Sequence, residues 1–477
     1  MIIWILVALV VAFIAVLLVR AAQMKPAVTQ TAPRSEVAID AAKMADHLAQ
    51  MVRIPTVSNY DESLVDDEKF AEFRQLLKTM YPKVHANCAP ILCGKTGLLF
   101  HWKGKNAAEP VVLMAHYDVV PVNAEHWQHP PFSGEIVAEE LWGRGTIDTK
   151  ITVLGVLEAA EKLLGEDFAP QNDVYFAFAG DEEVSGHGAE DIIAYFKQNN
   201  ITPSMVLDEG GAVVEGVFPG VKKPIAVIGI GEKGMMNVEI TAKSAGGHAS
   251  HPVRPSAIGR MSKAIIACEN HPFKAHLTLP ILKLFETVGP HAPFGLRIVL
   301  ANLWCFGGLL CAFAEKLGGE INAMMRTTMA FTMAKGAKQI NVLPNEAVAG
   351  LNMRLINTDT PDSVKRALEA QIADDKITVT VTHAQAASPY SATEGAHWDV
   401  LASAVANTWQ GCLVSPYLMI ACSDSRHYNG FCKDIYKFSA MALSGAQRGL
   451  IHNDNERIPV SEIAKTVAFY VRFLQNL

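Results

Sequence analysis

The chain has 477 residues, 50% hydrophobic and 19% charged, which is enough apolar material for more than one buried core and too much for a disordered or fibrous protein. Its net charge of -7 comes from 41 basic and 48 acidic residues without a basic block, which argues against nucleic acid as the main partner. The 8 cysteines form no C-x-x-C pair and no short-spaced framework, so neither a cysteine metal site nor a disulfide scaffold is indicated.

Residues 1–19 carry no side-chain charge and end at Arg20, close to the ~20 residues that span a bilayer. No basic side chain precedes the apolar run, as a signal peptide would require, so 1–24 reads as a retained anchor more than a cleaved signal. Arg20, Lys25 and Arg34 follow it, and the positive-inside rule then points to a cytosolic body. A Pro/Thr/Ala-rich linker occupies 25–36.

Helical periodicity follows over 41–52 and around Phe70, Phe73, Leu76, Leu77 and Met80. Three short apolar runs, 111–115, 174–179 and 205–207, stop abruptly at polar, acidic or histidine residues, as buried strands of a sheet covered on both faces do. Helical patterns at 151–164 and 189–197 alternate with them, which predicts an α/β domain over 37–224. From about 225 to 387 the texture becomes α+β, with strands at 236–242, 347–356 and 377–382 and helices at 257–268 and 362–372. Within it the uncharged run 298–314 contains Asn302 and Gly307-Gly308, is short for a membrane span, and reads as buried or cleft-lining structure. Residues 388–477 return to the first domain, with helices at 398–409 and 460–474 and a strand at 435–440.

Metal-capable side chains fall where the three apolar runs end. His116 and Asp118 follow the first, Asp181 to Glu183 the second and Asp208 the third, so segments far apart in sequence converge on the carboxyl edge of one sheet. His116 and Asp118 are two apart and point the same way if the strand continues, which lets the carboxylate orient the imidazole. Asp148 in GRGTIDTK precedes a helix, where it either caps the helix or bridges two cations. Glu182 and Glu183 point opposite ways if extended, so one can hold metal while the other handles protons. His452, in IHNDNE, gains weight from this company. Mixed imidazole and carboxylate donors suit zinc, with manganese or cobalt as substitutes, and a carboxylate-rich set suggests a pair of ions. The string GIGEKG matches G-x-G-x-x-G but is followed by strand-like MNVEITAKS where a dinucleotide site needs a helix, which removes nicotinamide and flavin chemistry.

The blocks MAHYDVVP, HPPFSGEI, GRGTID, GDEEVSGHGA, LDEGG, EKGMMNVEI, GGHAS, NVLP, SDSR and IHNDNE together resemble the aminoacylase and carboxypeptidase S family of dinuclear zinc peptidases, especially the branch of the N-fatty-acyl-amino-acid synthase/hydrolase, from about residue 39 onward. The resemblance implies a zinc-exopeptidase-like catalytic domain with a central, mostly parallel sheet and an inserted lid of the dimerisation type. It implies two zinc ions per chain, one held by His116, Asp148 and Asp208 and the other by Asp148, Glu183 and His452, with Asp148 bridging and followed by a cis peptide. Asp118 would stand behind His116 as a catalytic residue, and Glu182 would act as general base on a water between the ions. His248 would reach the reacting carbonyl, in dimeric relatives across the subunit interface, and Asn341, Arg354 and Arg426 would hold a substrate carboxylate. The implied activity is hydrolysis of an amide bond beside a free carboxylate, in a peptide or an N-acyl amino acid, by a body on the non-cytosolic side. Two departures are Thr149, where relatives often carry a second Asp, and ACSDSR, which replaces a glycine-containing loop. A catalytically silent binding protein on the same scaffold is the alternative, but it would have lost Glu182 or a ligand, and neither is lost.

Overall fold

The computed structural model describes residues 1–26, 36–216, 218–317 and 319–477, excepting the side chains of 315 and 317; most of the expected linker falls outside them. Helices α1 (Ile2–Gln23), α2 (Ala41–Val52), α3 (Asp67–Met80) and α4 (Pro82–Asn87) lead into strands β1 (Ile91–Cys93), β2 (Gly97–Trp102), β3 (Asn106–His116), β4 (Glu135–Val137) and β5 (Glu140–Trp142). Then follow α5 (Lys150–Gly165), β6 (Asn172–Ala179), α6 (Gly188–Gln198), β7 (Met205–Val214) and β8 (Ile225–Glu232). The middle of the chain gives β9 (Gly234–Lys243), β10 (Gly247–His248), α7 (Ala257–Glu269), α8 (Leu279–Val288), α9 (Phe294–Ala301), α10 (Leu303–Leu317) and α11 (Gly319–Met325). It continues with β11 (Thr328–Lys335), β12 (Val342–Leu343), β13 (Glu346–Leu355), α12 (Pro361–Ile372) and β14 (Ile377–Gln385). The chain closes with α13 (Ala396–Thr408), β15 (Leu413–Met419), β16 (Asp434–Leu443), α14 (Gly445–Arg448), β17 (Arg457–Pro459) and α15 (Val460–Asn476).

Eight strands form the main sheet in the order β1-β2-β6-β3-β7-β16-β8-β15. Its centre is parallel, with β3 beside β6 and β7 and with β16 beside β7. Both faces are covered, and β3 shows why its run of apolar residues is unbroken. Val111, Leu113 and Ala115 enter the core shared with α2, α5 and α15, while Val112 and Met114 enter the core beneath α6. Helix α5 lies against α15 at close range: a Cβ on Gly155 would stand 2.7 Å from the Thr466 methyl carbon and 2.8 Å from the Tyr470 ring. That contact joins the helix after Asp148 to the end of the chain.

The second domain is a four-stranded antiparallel sheet, β11-β13-β9-β14, with a separate core under α7 and α12. Met236, Val238, Ile240 and Ala242 of β9 alternate inward, as a sheet with one wet face requires. The domain is smaller than the span 225–387. Strand β8 belongs to the main sheet, where Ile225 to Ile230 are buried throughout, so the boundary falls near Gly234. The apolar segment from α8 to α11 also returns to the main core, through Ile281, Phe285, Val288, Met324 and Met325. The chain therefore crosses between the domains more than once. At one crossing, β8 to β9, a Cβ on Gly234 would lie 2.4 Å from the Gln385 carbonyl oxygen, so two passing strands require glycine there. The segment GIGEKG serves this crossing and is followed by β9. Contrary to the expectation of burial, α10 exposes Trp304, Leu309 and Phe313.

Candidate metal centre

The register of the main sheet brings the site together. His116 pairs with Ala179 across β3 and β6, and Leu113 pairs with Leu207 across β3 and β7, so the residues just beyond those positions share one edge. His116 Nε2 lies 2.9 Å from Asp148 Oδ1, and His452 Nε2 lies 3.0 Å from both Asp148 Oδ2 and Glu183 Oε2. Each oxygen of Asp148 thus faces a different imidazole. Asp148 is not the helix cap, which is Thr149, and the peptide between the two is cis, as the family resemblance implies.

Asp208 behaves differently from its expected part. Its Oδ2 accepts from the Ser425 amide at 2.8 Å and its Oδ1 from the Glu209 amide, whereas Glu209 Oε1 stands 3.4 Å from His116 Nε2. Glu209 thus stands beside His116, next in sequence to the Asp208 that the family resemblance placed there. His116, Asp148 and Glu183 offer ligand atoms within 4.8 Å of one another, and so do His116, Glu182 and Glu209.

These spacings suit metal ions. Tetrahedral zinc ligands about 2.0–2.1 Å from the ion lie about 3.3 Å apart, close to the separations between the imidazoles and carboxylates here. The charge balance points the same way. Burial drives Glu182 well above the usual carboxylate range, helped by Asp424, Glu209 and Glu183, and burial first of all holds Glu209 at about 8. Burial also opposes ionisation of Asp148, but hydrogen bonds from both imidazoles hold it below its ordinary value. Hydrogen bonds to Asp148 and Glu183 raise His452 to about 10. Burial that presses so many carboxylates toward their neutral forms marks a cluster that a bound cation would stabilise.

Other side chains hold this cluster in position. Asp118 is fully buried; its carboxylate accepts from Ser58 Oγ at 2.7 Å and from the amides of Glu182 and Glu183 at 3.2 Å, while its backbone carbonyl lies 3.1 Å and its Oδ1 3.3 Å from His116 Nδ1. It therefore orients the imidazole and the acidic turn together. Asp181, the third acid of the turn, accepts the amides of His187 and Gly188 at the start of α6. Glu456 was not singled out by sequence, although it ends the IHNDNE block. Its buried carboxylate accepts from Arg144 Nη1 and the Ile147 amide, both at 2.7 Å, from the Gly145 amide at 3.1 Å and from the Asp148 amide at 3.2 Å. The loop that carries His452 thereby fixes the loop that carries Asp148.

The candidate substrate groups divide into two pairs. Arg354 of β13 donates to Cys422 Sγ at 3.1 Å, and Arg426 Nη2 lies 3.5 Å from Asp424 Oδ1, so one arginine from each domain addresses the loop 422–426. His248 and Asn341 are exposed neighbours where β10 meets β12; the Ala249 amide donates to the Asn341 carbonyl. Among the described residues no hydrogen bond joins either to the metal cluster.

Imidazoles and carboxylates gathered beyond the carboxyl ends of the parallel strands stand where α/β sheets bind their ligands. The model of Peptidase family M20/M25/M40 matches residues 112–476, and the chain belongs to that family. It is a hydrolase related to carboxypeptidase S. A probable carboxypeptidase S-like protein of Dictyostelium discoideum is 34% identical over 442 residues, 91% of this chain and 85% of that protein. The N-fatty-acyl-amino acid synthase/hydrolase of Xenopus tropicalis is 32% identical over 477 residues, 98% of this chain and 93% of that protein. In fold the chain resembles an M20 family metallo-carboxypeptidase of Sulfolobus solfataricus, with a TM-score of 0.63 and 17% identity, covering 92% of this chain and 99% of that one.

Proposed function

We propose that the protein is a dinuclear zinc hydrolase that cleaves the amide bond beside a free carboxylate in a peptide or N-acyl amino acid. The observation that carries this reading is the pair of imidazoles, His116 and His452, each facing its own oxygen of Asp148 with a further glutamate within 3.4 Å. One ion is assigned to His116, Asp148 and Glu209, the other to Asp148, Glu183 and His452. Zinc bound there would supply Lewis acidity, lowering the pKa of water toward ~7 and drawing charge from the amide carbonyl.

The chain's own residues account for the proton. Burial raises the proton affinity of Glu182, so its ionised carboxylate can take a proton from water as the C–O bond forms and return it to the nitrogen as the C–N bond breaks. Arg354 and Arg426 are assigned to the carboxylate, for which a guanidinium fork is suited. His248 and Asn341 sit on the open side of the lid, which supports a role completed by a second copy through that domain. The membrane reading of α1 belongs here too: it is a 22-residue apolar helix whose Leu17 and Ala21 pack against the body.

Purified protein supplied with zinc is expected to hydrolyse N-acyl amino acids or dipeptides and to spare the same compounds with the carboxylate amidated. Comparing N-acetyl, long-chain N-acyl and dipeptide substrates by amine release sets the acyl preference. Equal turnover of amidated compounds would defeat carboxylate recognition. Asp148→Ala is expected to remove both ions, read by elemental analysis after dialysis; one ion retained per chain would defeat the bridging role.

A further inference from the structure

Helices α9 and α10 meet at Asn302 at an angle of 105°. Together their uncharged stretch, 298–314, has a membrane-like composition, yet each arm is too short to cross: about 12 Å for α9 and about 22 Å for α10, against a hydrocarbon core of about 30 Å. The flanks decide its topology. Val288 before it and Met324 after it are both buried in the catalytic core, so the segment must return to the side from which it leaves.

The bend is finished as backbone in a dry medium has to be. Asn302 is fully buried; its Nδ2 donates to the carbonyls of Leu17 at 3.1 Å and Ile298 at 2.8 Å, and its Oδ1 accepts from Trp304 Nε1 at 3.2 Å. Arg20 Nε donates to the Ala301 carbonyl at 3.1 Å, covering an open end of α9. Large apolar side chains nevertheless face outward: Trp304 is 61% exposed, Leu309 56% and Phe313 46%. Lys316 Nζ lies 5.3 Å from the centre of the Phe313 ring and brings a charge to the far end of the patch.

The position of this patch identifies its occupant. Trp304 meets Phe13 of α1 edge to face, with ring centres 6.1 Å apart. Phe13 is ten residues from the end of α1, about 15 Å along a helix at 1.5 Å per residue. A patch beside α1 at that depth lies within whatever α1 spans. We propose that α9 and α10 form a re-entrant wedge that enters one leaflet of the bilayer beside α1, so that the catalytic body is seated on the membrane and does not swing on a linker. This rests on the reading that α1 remains in the membrane.

The test uses the full chain with a protease site placed within 27–35, reconstituted in phosphatidylcholine vesicles, whose neutral surface removes attraction by charge. Uncut protein is expected to float with the vesicles; if it does not, the anchor reading fails and the wedge fails with it. After cutting, the unaltered body is expected to stay with the vesicles, while a Leu309→Lys, Phe313→Lys body moves to the soluble fraction. Those two side chains leave the Asn302 and Trp304 contacts to α1 in place, so retention of the double variant would mean that α1 alone holds the body and would overturn the wedge. Release of the unaltered body would overturn it as well. Cys305, the exposed cysteine of α10, gives a reading without that variant. In vesicles its labelling, taken as the difference from Cys305→Ser, is expected with a bilayer-soluble maleimide and not with a charged one; equal labelling by both overturns the proposal.

Discussion

Replacing Glu182 with Gln is expected to lower kcat by about 10²–10⁴-fold, the usual worth of a positioned proton carrier, while metal content stays that of the unaltered protein. Gln preserves the size and most of the packing of Glu182 but cannot take a proton from water. The neighbouring acids make the two substitutions distinct. Glu183 Oε2 is directed at His452, so Glu183→Gln is expected to weaken one metal position, whereas Glu182→Gln acts on turnover alone. Steady-state rates and elemental analysis on the same samples separate the two. Activity of Glu182→Gln within about tenfold of the unaltered protein would reject the general-base assignment.

Glu456→Ala should have the largest effect on stability. Its carboxylate is out of contact with water, pairs with the buried Arg144 and collects the amides of Gly145, Ile147 and Asp148. Breaking one half of a buried ion pair costs about 3–5 kcal/mol, because the remaining charge has no partner. Here the loop that carries Asp148 also loses its support, so metal content is expected to fall together with thermal stability. Thermal melts with and without added zinc, beside elemental analysis, read both quantities. A Glu456→Ala protein that melts at the unaltered temperature with full metal would reject the positioning role.

Much of the architecture was legible because burial left its mark on residue order. The apolar runs at 111–115, 174–179 and 205–207 lie within β3, β6 and β7, and the pattern at 41–52 coincides with α2. The cut at 225 failed for a reason also written in the residues: Ile225 to Ile230 form an unbroken apolar run, the mark of the covered sheet, and alternation begins only at β9. Adjacent carboxylates were harder to separate. In LDEGG, Asp208 and Glu209 share a motif, and only the irregularity within β7, where Asp208 pairs with Lys437 but Gly211 with Phe438, accompanies the split by which Asp208 reaches the Ser425 amide while Glu209 reaches toward His116. Glu456 was invisible for a different reason, since nothing local marks an acid whose partners lie in a loop more than 300 residues earlier. The bend at Asn302 was likewise hidden inside a run whose composition suggested burial.

The contact of α5 with α15 bears on how the protein is made. His116 and Asp148 leave the ribosome more than 300 residues ahead of Glu456, with its neighbour His452 and the helix that packs against Gly155. A nascent chain halted before them would present one imidazole, a loop without its carboxylate clasp and an exposed α5, so a cluster assembled from both ends of that interval cannot form until translation has passed His452 and Glu456.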